Sequence, residues 1–324
     1  MYKINWGIIG CGDVTEKKSG PAFNKVANSA LVAVMRRDAS KAEDYAKRHG
    51  VPKWYSDAQQ LIDDPEINAV YIATPPSSHK AYALAAMHAG KHVYVEKPMA
   101  LSTVECEEMV AASIKHHVKL TVAHYRQQVP LFKQIKAWIE NDKIGTIRFV
   151  ELKMLQPIKP TLIAQTKDNW RTDPTISGGG LFHDLAPHQI DLMVDFFGEP
   201  FRFSGIGFNQ TKQSLADDIV SGQILFKNGV LFNGLWCFSV PENEAQDTCT
   251  IIGSEGKISF AVFGDSVEIT TENNIEKQVF EMPEHIQQPM IEKVVQYFLD
   301  EGENPCDGNT GVEVMRIIDA FSNK

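Results

Sequence analysis

Within its first dozen residues the chain runs from a short apolar segment, Ile4–Ile9, straight into Gly10-Cys11-Gly12. An apolar run of about 4–8 residues closed by glycines reads as a strand buried on both faces. The pattern returns at Leu31–Met35, at Ala69–Ala73 before Thr74-Pro75-Pro76, at His92–Val95 before Glu96-Lys97-Pro98, and at Lys119–Ala123. Helical patterns separate these runs. Ser40–His49 stops at Gly50 and Ser78–Ala89 at Gly90. Thr103–His117 follows Ser102 as N-cap with Glu105 three residues on, a capping box. Such alternation leaves few topologies open. It predicts a doubly wound parallel α/β domain over residues 1–123, with right-handed crossovers.

The pattern then changes. After a helix over Val129–Asp142, strands dominate: Ile147–Leu155, Phe201–Asn209, Ile219–Phe226, Val230–Val240, Thr248–Ile252, Lys257–Phe263, Val267–Thr271 and Glu276–Met282. Asn228-Gly229 signals a two-residue hairpin and Glu255-Gly256 another turn. Helices over Met290–Asp300 and Gly311–Phe321 close the chain. Residues 124–324 therefore read as an α+β domain with a large, open, mostly antiparallel sheet. A length of 324 residues agrees with two domains. In Val230–Val240 one face carries Val230, Phe232, Trp236, Phe238 and Val240, the other Leu231, Asn233, Leu235, Cys237 and Ser239. Helices are expected on the first face and a second copy of the chain on the other. An exposed, slightly apolar sheet face is the plainer alternative. Pro157, Pro160 and the polar stretch to Pro174 read as a long loop. It and Phe208–Asp218 are expected to shape a pocket.

Several classes drop out. The net charge of −9, without a long basic run, disfavours nucleic acid and anionic membranes as partners. No uncharged apolar run approaches the roughly 20 residues of a membrane span. The five cysteines are scattered and form no C-x-x-C, which fits a reducing compartment. The opening MYKINWGIIG has no basic, apolar and cleavable leader pattern, so a cytoplasmic location is expected.

Three constellations carry chemistry. In Gly7-Ile8-Ile9-Gly10-Cys11-Gly12, Gly10 permits a tight turn and Gly12 lets backbone approach a pyrophosphate at a helix N-terminus. Thr15 stands where a third small residue is usual. At the end of the second strand, Met35-Arg36-Arg37 offers no early carboxylate for ribose hydroxyls, and Asp38 comes too late. Arg36 and Arg37 can instead fork onto a 2′-phosphate, so NADP(H) is expected over NAD(H). The second constellation is Glu96-Lys97-Pro98, at the strand end where ligands bind in parallel sheets. An ammonium there can hydrogen-bond a substrate oxygen. The third is Gly178–Asp191. Asp184 is expected as a helix N-cap with Pro187 in the first turn, and His188 follows close enough for the carboxylate to orient its ring. An imidazole so held is a general acid/base for a hydroxyl–carbonyl interconversion. His183 and His188 are five apart, which disfavours a shared metal, and His183 is expected to pack or cap.

Taken together, these segments resemble the Gfo/Idh/MocA oxidoreductases over nearly the whole chain. The resemblance rests on Gly7–Gly12, Thr74–His79, Ala89-Gly90-Lys91-His92-Val93, Glu96-Lys97-Pro98, Trp170-Arg171 and Gly178–Asp191. It implies a Rossmann domain followed by an open-sheet domain that builds homodimers or homotetramers. It also implies Lys97, Asp184 and His188 as the catalytic set and a Lys97-Pro98 cis peptide. Cofactor contacts are expected from Gly10, Gly12, Asp13, Val14, Arg36, Arg37, Thr74, Pro75, His79, Glu96 and Lys97. Tyr125, Arg126, Trp170 and Arg171 are candidate substrate contacts. The implied substrates are sugars, cyclitols and their derivatives. Pro187 and the early Gly20-Pro21 depart from the pattern and leave substrate identity open. Two alternatives stand beside the dehydrogenase: a glycoside-cleaving enzyme that oxidises transiently with net hydrolysis, and a non-catalytic NADP(H) sensor.

Overall fold

A computed structural model describes residues 2–160, 162–163 and 170–322. Residue 161 and residues 164–169, within the loop expected near the site, lie outside the described residues. The chain divides into two compact units, residues 1–125 with 283–315, and residues 126–282 with 316–324. Residues 283–315 thus fold with the first unit rather than with the strands that precede them.

The first unit is built in strict alternation: β1 (Ile4–Ile9), α1 (Asp13–Lys17), β2 (Ser29–Met35), α2 (Ala39–His49), β3 (Lys53–Tyr55), α3 (Ala58–Ile62), β4 (Ala69–Ile72), α4 (His79–His88), β5 (His92–Val95), α5 (Thr103–Lys115) and β6 (Leu120–Val122). Its six strands are ordered β3-β2-β1-β4-β5-β6 and pair in parallel throughout. The order reverses between β1 and β4, and a crevice for ligands opens outside the carboxyl ends at such a switch point. β4 is buried along its whole length, as a strand covered on both faces must be. Local chemistry fixes the helix ends. Ser102 Oγ accepts from the Glu105 N–H at 3.4 Å, and Glu105 Oε2 accepts from the Leu101 N–H at 3.1 Å. That is close to the expected box, shifted one residue outward on the return bond. Asp38 caps α2, and Gly50 ends it in the left-handed region at φ 64°. As Gly20-Pro21 suggests, α1 is short, and a 3₁₀ turn over Gly20–Asn24 replaces its continuation.

The second unit starts with α6 (Pro130–Glu140) and β7 (Ile147–Leu155), then α7 (Pro174–Ser177) and α8 (Gly180–Phe197). Seven strands follow: β8 (Pro200–Phe208), β9 (Ile219–Phe226), β10 (Leu231–Cys237), β11 (Gln246–Gly253), β12 (Gly256–Phe260), β13 (Ser266–Thr271) and β14 (Asn274–Val279). Helices α9 (Gln288–Phe298) and α10 (Gly308–Phe321) end the chain. The sheet order is β14-β13-β12-β11-β7-β10-β9-β8, antiparallel except where β7 and β10 run together. Its inner face is the core. Phe232 and Trp236 of β10 are fully buried. The Trp236 indole donates to Gln189 Oε1 of α8 at 2.6 Å and meets the Phe182 ring edge-on at 5.2 Å. On the outer face, Phe201, Ile206 and Phe208 are about 60% exposed. The two faces of β10 divide as the alternation predicts.

Two local expectations are corrected. The β9–β10 hairpin turns through three residues rather than two. Phe226 and Val230 close it, with Gly229 left-handed at φ 89°. Asp184 is not an N-cap either. α8 begins at Gly180, four residues earlier, because Ser177 Oγ accepts the Gly180 N–H at 2.8 Å and Gly178 and Gly180 both take positive φ. Pro187 therefore lies inside the helix, where it offers no N–H to the carbonyl one turn back.

Candidate active site

In the first unit the expected cofactor residues gather at the carboxyl ends of β1, β2, β4 and β5. Gly10 sits at φ 96°, and a Cβ there would lie 2.8 Å from the Thr74 backbone nitrogen. Only glycine fits both the dihedral and the approach. Gly12 caps α1 without a side-chain hydrogen bond, ahead of Asp13 and Val14, and a Cβ on it would meet nothing nearer than 3.9 Å. The turn is tight behind and open in front, which fits the phosphates of a dinucleotide. Arg36 is half-buried and its Nη1 donates to the Cys11 carbonyl at 3.2 Å, while Arg37 is exposed. Asp38 accepts from the Ser40 hydroxyl at 2.7 Å and the Lys41 N–H at 3.2 Å.

Thr74 and Pro75 form the turn after β4, where Ser78 Oγ donates to Thr74 Oγ1 at 2.8 Å. His79 is fully buried. Its Nε2 lies 2.7 Å from the Thr74 carbonyl oxygen and its Nδ1 3.0 Å from that of Pro98, so the ring ties the β4 turn to the β5 turn. Burial pushes this imidazole below its ordinary pKa, against the pull of both carbonyls. The Lys97-Pro98 peptide is cis. Glu96 is buried, with its carboxylate turned into the unit rather than outward. His124, beyond β6, is a group the sequence reading missed. Burial, and then the charge of Lys97, hold its imidazole down at about 3. Tyr125 is buried beside it in sequence.

In the second unit α8 carries Asp184 and His188 one turn apart. Arg171 Nε donates to Asp184 Oδ2 at 3.1 Å, and its guanidinium stacks over the Trp170 ring at 4.4 Å. The pair is largely shielded, which strengthens it relative to a surface pair. A cleft of about 260 Å³ reaches this arginine, bordered by Lys159, Leu181, Asp217 and Phe238. His188 is buried and meets the Phe263 ring edge-on at 5.7 Å. Arg126 lies on the same ring at 4.2 Å and donates to the Val262 carbonyl at 2.6 Å. Asp247 fixes that segment by accepting the Val262 and Phe263 N–H groups at 3.1 and 2.6 Å. Phe263 and Asp247 carried no signal in the sequence, being an ordinary apolar residue and an ordinary acid on separate strand ends. One turn past His188, Asp191 accepts from Gln127 Nε2 at 2.7 Å. His183 packs, as expected, edge-on to Phe182 and against Gly179. Among the described residues no three His, Cys, Asp or Glu side chains group as metal ligands, and no helix is long and apolar enough to cross a membrane.

Residues 4–124 match the oxidoreductase family with an NAD-binding Rossmann fold, and residues 132–259 match the Gfo/Idh/MocA C-terminal domain. Oxidoreductase P35 of Formosa agariphila is 50% identical over 319 residues, 98% of each chain. The chain belongs to the Gfo/Idh/MocA family of oxidoreductases. The chain is also similar to 1,5-anhydro-D-fructose reductase of Ensifer adhaerens, at 27% identity over 70% of this chain and 67% of the other. The fold is that of aldose-aldose oxidoreductase from Caulobacter crescentus, with a TM-score of 0.87 at 23% identity, covering 98% of this chain and 96% of that one. This Gfo/Idh/MocA member is an oxidoreductase with an NAD(P)-binding Rossmann domain.

Proposed function

We propose that this chain is an NADP(H)-dependent oxidoreductase that interconverts a hydroxyl and a carbonyl on a sugar, cyclitol or related small molecule by hydride transfer. The observation that carries this reading is the Arg171–Asp184 pair one turn before His188 on α8. A carboxylate fixed by a guanidinium is held where it can orient the imidazole that follows it. A bound nicotinamide supplies or receives the hydride. His188 takes or returns the hydroxyl proton, Asp184 orients its ring, and the Lys97 ammonium hydrogen-bonds the substrate oxygen. Arg126, Trp170 and Arg171 remain the substrate contacts proposed for the second unit, and Tyr125 for the first.

Preference for NADP(H) is supported by the end of β2. Asp38, the nearest carboxylate, is engaged as the α2 cap, while Arg37 is exposed and Arg36 already faces the glycine turn. The sugar-like substrate class is supported by the relative that acts as a 1,5-anhydro-D-fructose reductase. The five cysteines lie far apart in the sequence and form no C-x-x-C, which supports a cytoplasmic site of action. The apolar outer face of the large sheet supports association between copies of the chain, and a purely monomeric sedimentation profile would refute that.

The test of the chemistry uses a panel of sugars, polyols and keto-sugars with each cofactor, followed by nicotinamide absorbance. Replacing Lys97 or His188 by alanine should lower turnover by about 10²–10⁴-fold. Unchanged turnover in either variant overturns the assigned roles. Equal or tighter binding of NADH than of NADPH overturns the cofactor preference.

A further inference from the structure

Glu96 lies at the carboxyl end of β5, next to Lys97, yet it is only 5% exposed. A carboxylate this deep needs donors. Its Oε1 accepts from the Tyr71 hydroxyl at 2.5 Å and from Gln287 Nε2 at 2.6 Å. Its Oε2 accepts the backbone N–H of Lys97 at 3.2 Å. Burial, and then the facing carboxylate, push the Tyr71 hydroxyl far above its ordinary pKa, so it remains a donor. Gln287 is itself fully buried, and its Oε1 accepts from the Tyr94 hydroxyl at 3.3 Å.

Gln287 reaches Glu96 from 191 residues downstream, and its segment also touches the glycine turn's helix. The Gln287 N–H donates to the Lys18 carbonyl at 3.1 Å. His285 Nδ1 lies 2.7 Å from the Lys17 carbonyl oxygen. Lys17 and Lys18 are the last turn of α1, which the Gly10–Gly12 turn launches. One short segment therefore holds both the end of that helix and the carboxylate that grips the Lys97 backbone.

We propose that Glu96 and Gln287 are positioning residues: Gln287 orients the Glu96 carboxylate, Glu96 fixes the backbone at Lys97, and the 285–287 segment couples that strand end to the helix after the glycine turn. The proposal rests on the reading of Lys97 given above. It assigns Glu96 an internal duty in place of the cofactor contact its motif suggests. The chemistry of the contact makes it sensitive to one exchange. Gln287→Glu puts an acceptor where a donor stood, so two carboxylates face each other and one must hold a proton for the contact to survive.

The experiment compares the full chain with Gln287→Met, Gln287→Glu, Tyr71→Phe and Lys97→Ala. Each is followed for kcat and KM from pH 5 to 9 on the best substrate of the sugar panel. In parallel, the Lys97 amine is titrated by NMR after reductive ¹³C-methylation, its signal identified by loss in Lys97→Arg. Gln287→Met should lower kcat by about 10–100-fold, the scale of a displaced catalytic group, with a smaller change in KM. The Lys97 resonance should move in the same variant. Gln287→Glu should regain turnover towards low pH, relative to the wild type, as the facing acids share a proton. If Gln287→Met fails to fold, Tyr71→Phe removes the other donor to the same oxygen and should shift the Lys97 resonance in its place. Wild-type kcat, pH profile and Lys97 resonance in the Gln287 and Tyr71 variants overturn the positioning role. Full turnover in Lys97→Ala instead overturns the reading of Lys97, and the NMR titration still decides whether Gln287 and Glu96 hold that backbone.

Discussion

Two glycine turns launch two helices in this chain, and they use glycine for opposite ends. Gly10–Gly12 opens into α1, a helix of 5 residues whose first turn receives no side-chain cap, and space lies in front of Gly12. Gly178–Gly180 opens into α8, of 18 residues, and is filled at its last two glycines: Ser177 takes the Gly180 N–H, the His183 ring fills the space at Gly179, and Ala216 sits against Gly180. In the first turn the missing side chain leaves backbone free to meet a ligand. In the second it lets the chain's own side chains pack where a Cβ would stand. A glycine cluster before a helix is thus an anion-binding signal only when nothing nearby fills it.

The sharpest way to break this comparison lies within the first turn. Gly10→Ala should be severe, since a left-handed alanine costs roughly 1–2 kcal/mol and the collision with the Thr74 backbone adds about 1–3 kcal/mol of overpacking. Gly12→Ala should change stability by no more than about 0.5 kcal/mol, because its backbone is extended and its surroundings are open. Its effect should fall on NADPH affinity instead. Urea unfolding of the apo chain, with fluorescence titration of NADPH, checks both. Similar stability losses in the two variants would mean that the turn is packed throughout.

The second turn should respond through its neighbours. Gly180→Ala carries the same left-handed penalty of roughly 1–2 kcal/mol and a collision with the Ala216 methyl. Adding Ala216→Gly should return the part due to the collision and leave the part due to φ. Ser177→Ala, which strips the hydroxyl from the Gly180 N–H, should cost about 1 kcal/mol. A double-mutant cycle on the unfolding free energies measures the coupling. Additive losses for the Gly180–Ala216 pair would show that the turn is not closed by packing.

The two turns also differ in how legible they were. The first follows an apolar strand directly, and strand, glycines and the next crossover agree on one topology. The long strands Ile147–Leu155 and Ile219–Phe226 match their expected bounds to the residue. Two short elements are not expected from the sequence, Lys53–Tyr55 and Ala58–Ile62, since neither carries a continuous apolar run, although Asp57 caps the latter. The start of α8 was misplaced for a physical reason. Asp184 has the chemistry of a cap, but its carboxylate serves Arg171, while Gly179 stands at the N-cap and Ser177 Oγ takes the Gly180 N–H. Asp173-Pro174 followed by Ser177 and three glycines is the signal the sequence offers for that start. The Glu96–Gln287 contact had none, since a glutamine on a loop has no pattern that points across most of the chain.

Acids on the two helices should sharpen the contrast further, though with smaller effects. On α1, Glu16 is held down at about 2, first by the bidentate Arg48 guanidinium and then by His49, against some burial. On α8, Asp191 is fully buried, and its carboxyl is pushed well above the ordinary range by burial and then by the charge of Asp195, against the Gln127 bond. The signs follow from linkage. Glu16 binds protons less readily folded than unfolded, so its contribution is present above the unfolded pKa of about 4.3 and disappears as pH falls towards 2. Asp191 binds its proton more readily folded, so its contribution is fully present below about pH 4 and declines as pH rises towards its folded value. Asp191→Asn keeps an oxygen for Gln127 and cannot ionise. The stability of that variant relative to the wild type should therefore grow from about pH 4 upward, by at most about 1.4 kcal/mol per pH unit. Glu16→Gln should instead lose its disadvantage as pH falls below about 4. Urea midpoints of the two variants and the wild type, taken at successive pH values between 3 and 8, measure both slopes. A constant gap for Asp191→Asn would mean that α8 holds this carboxylate charged, and that the closed turn at its start does not extend to a closed interior.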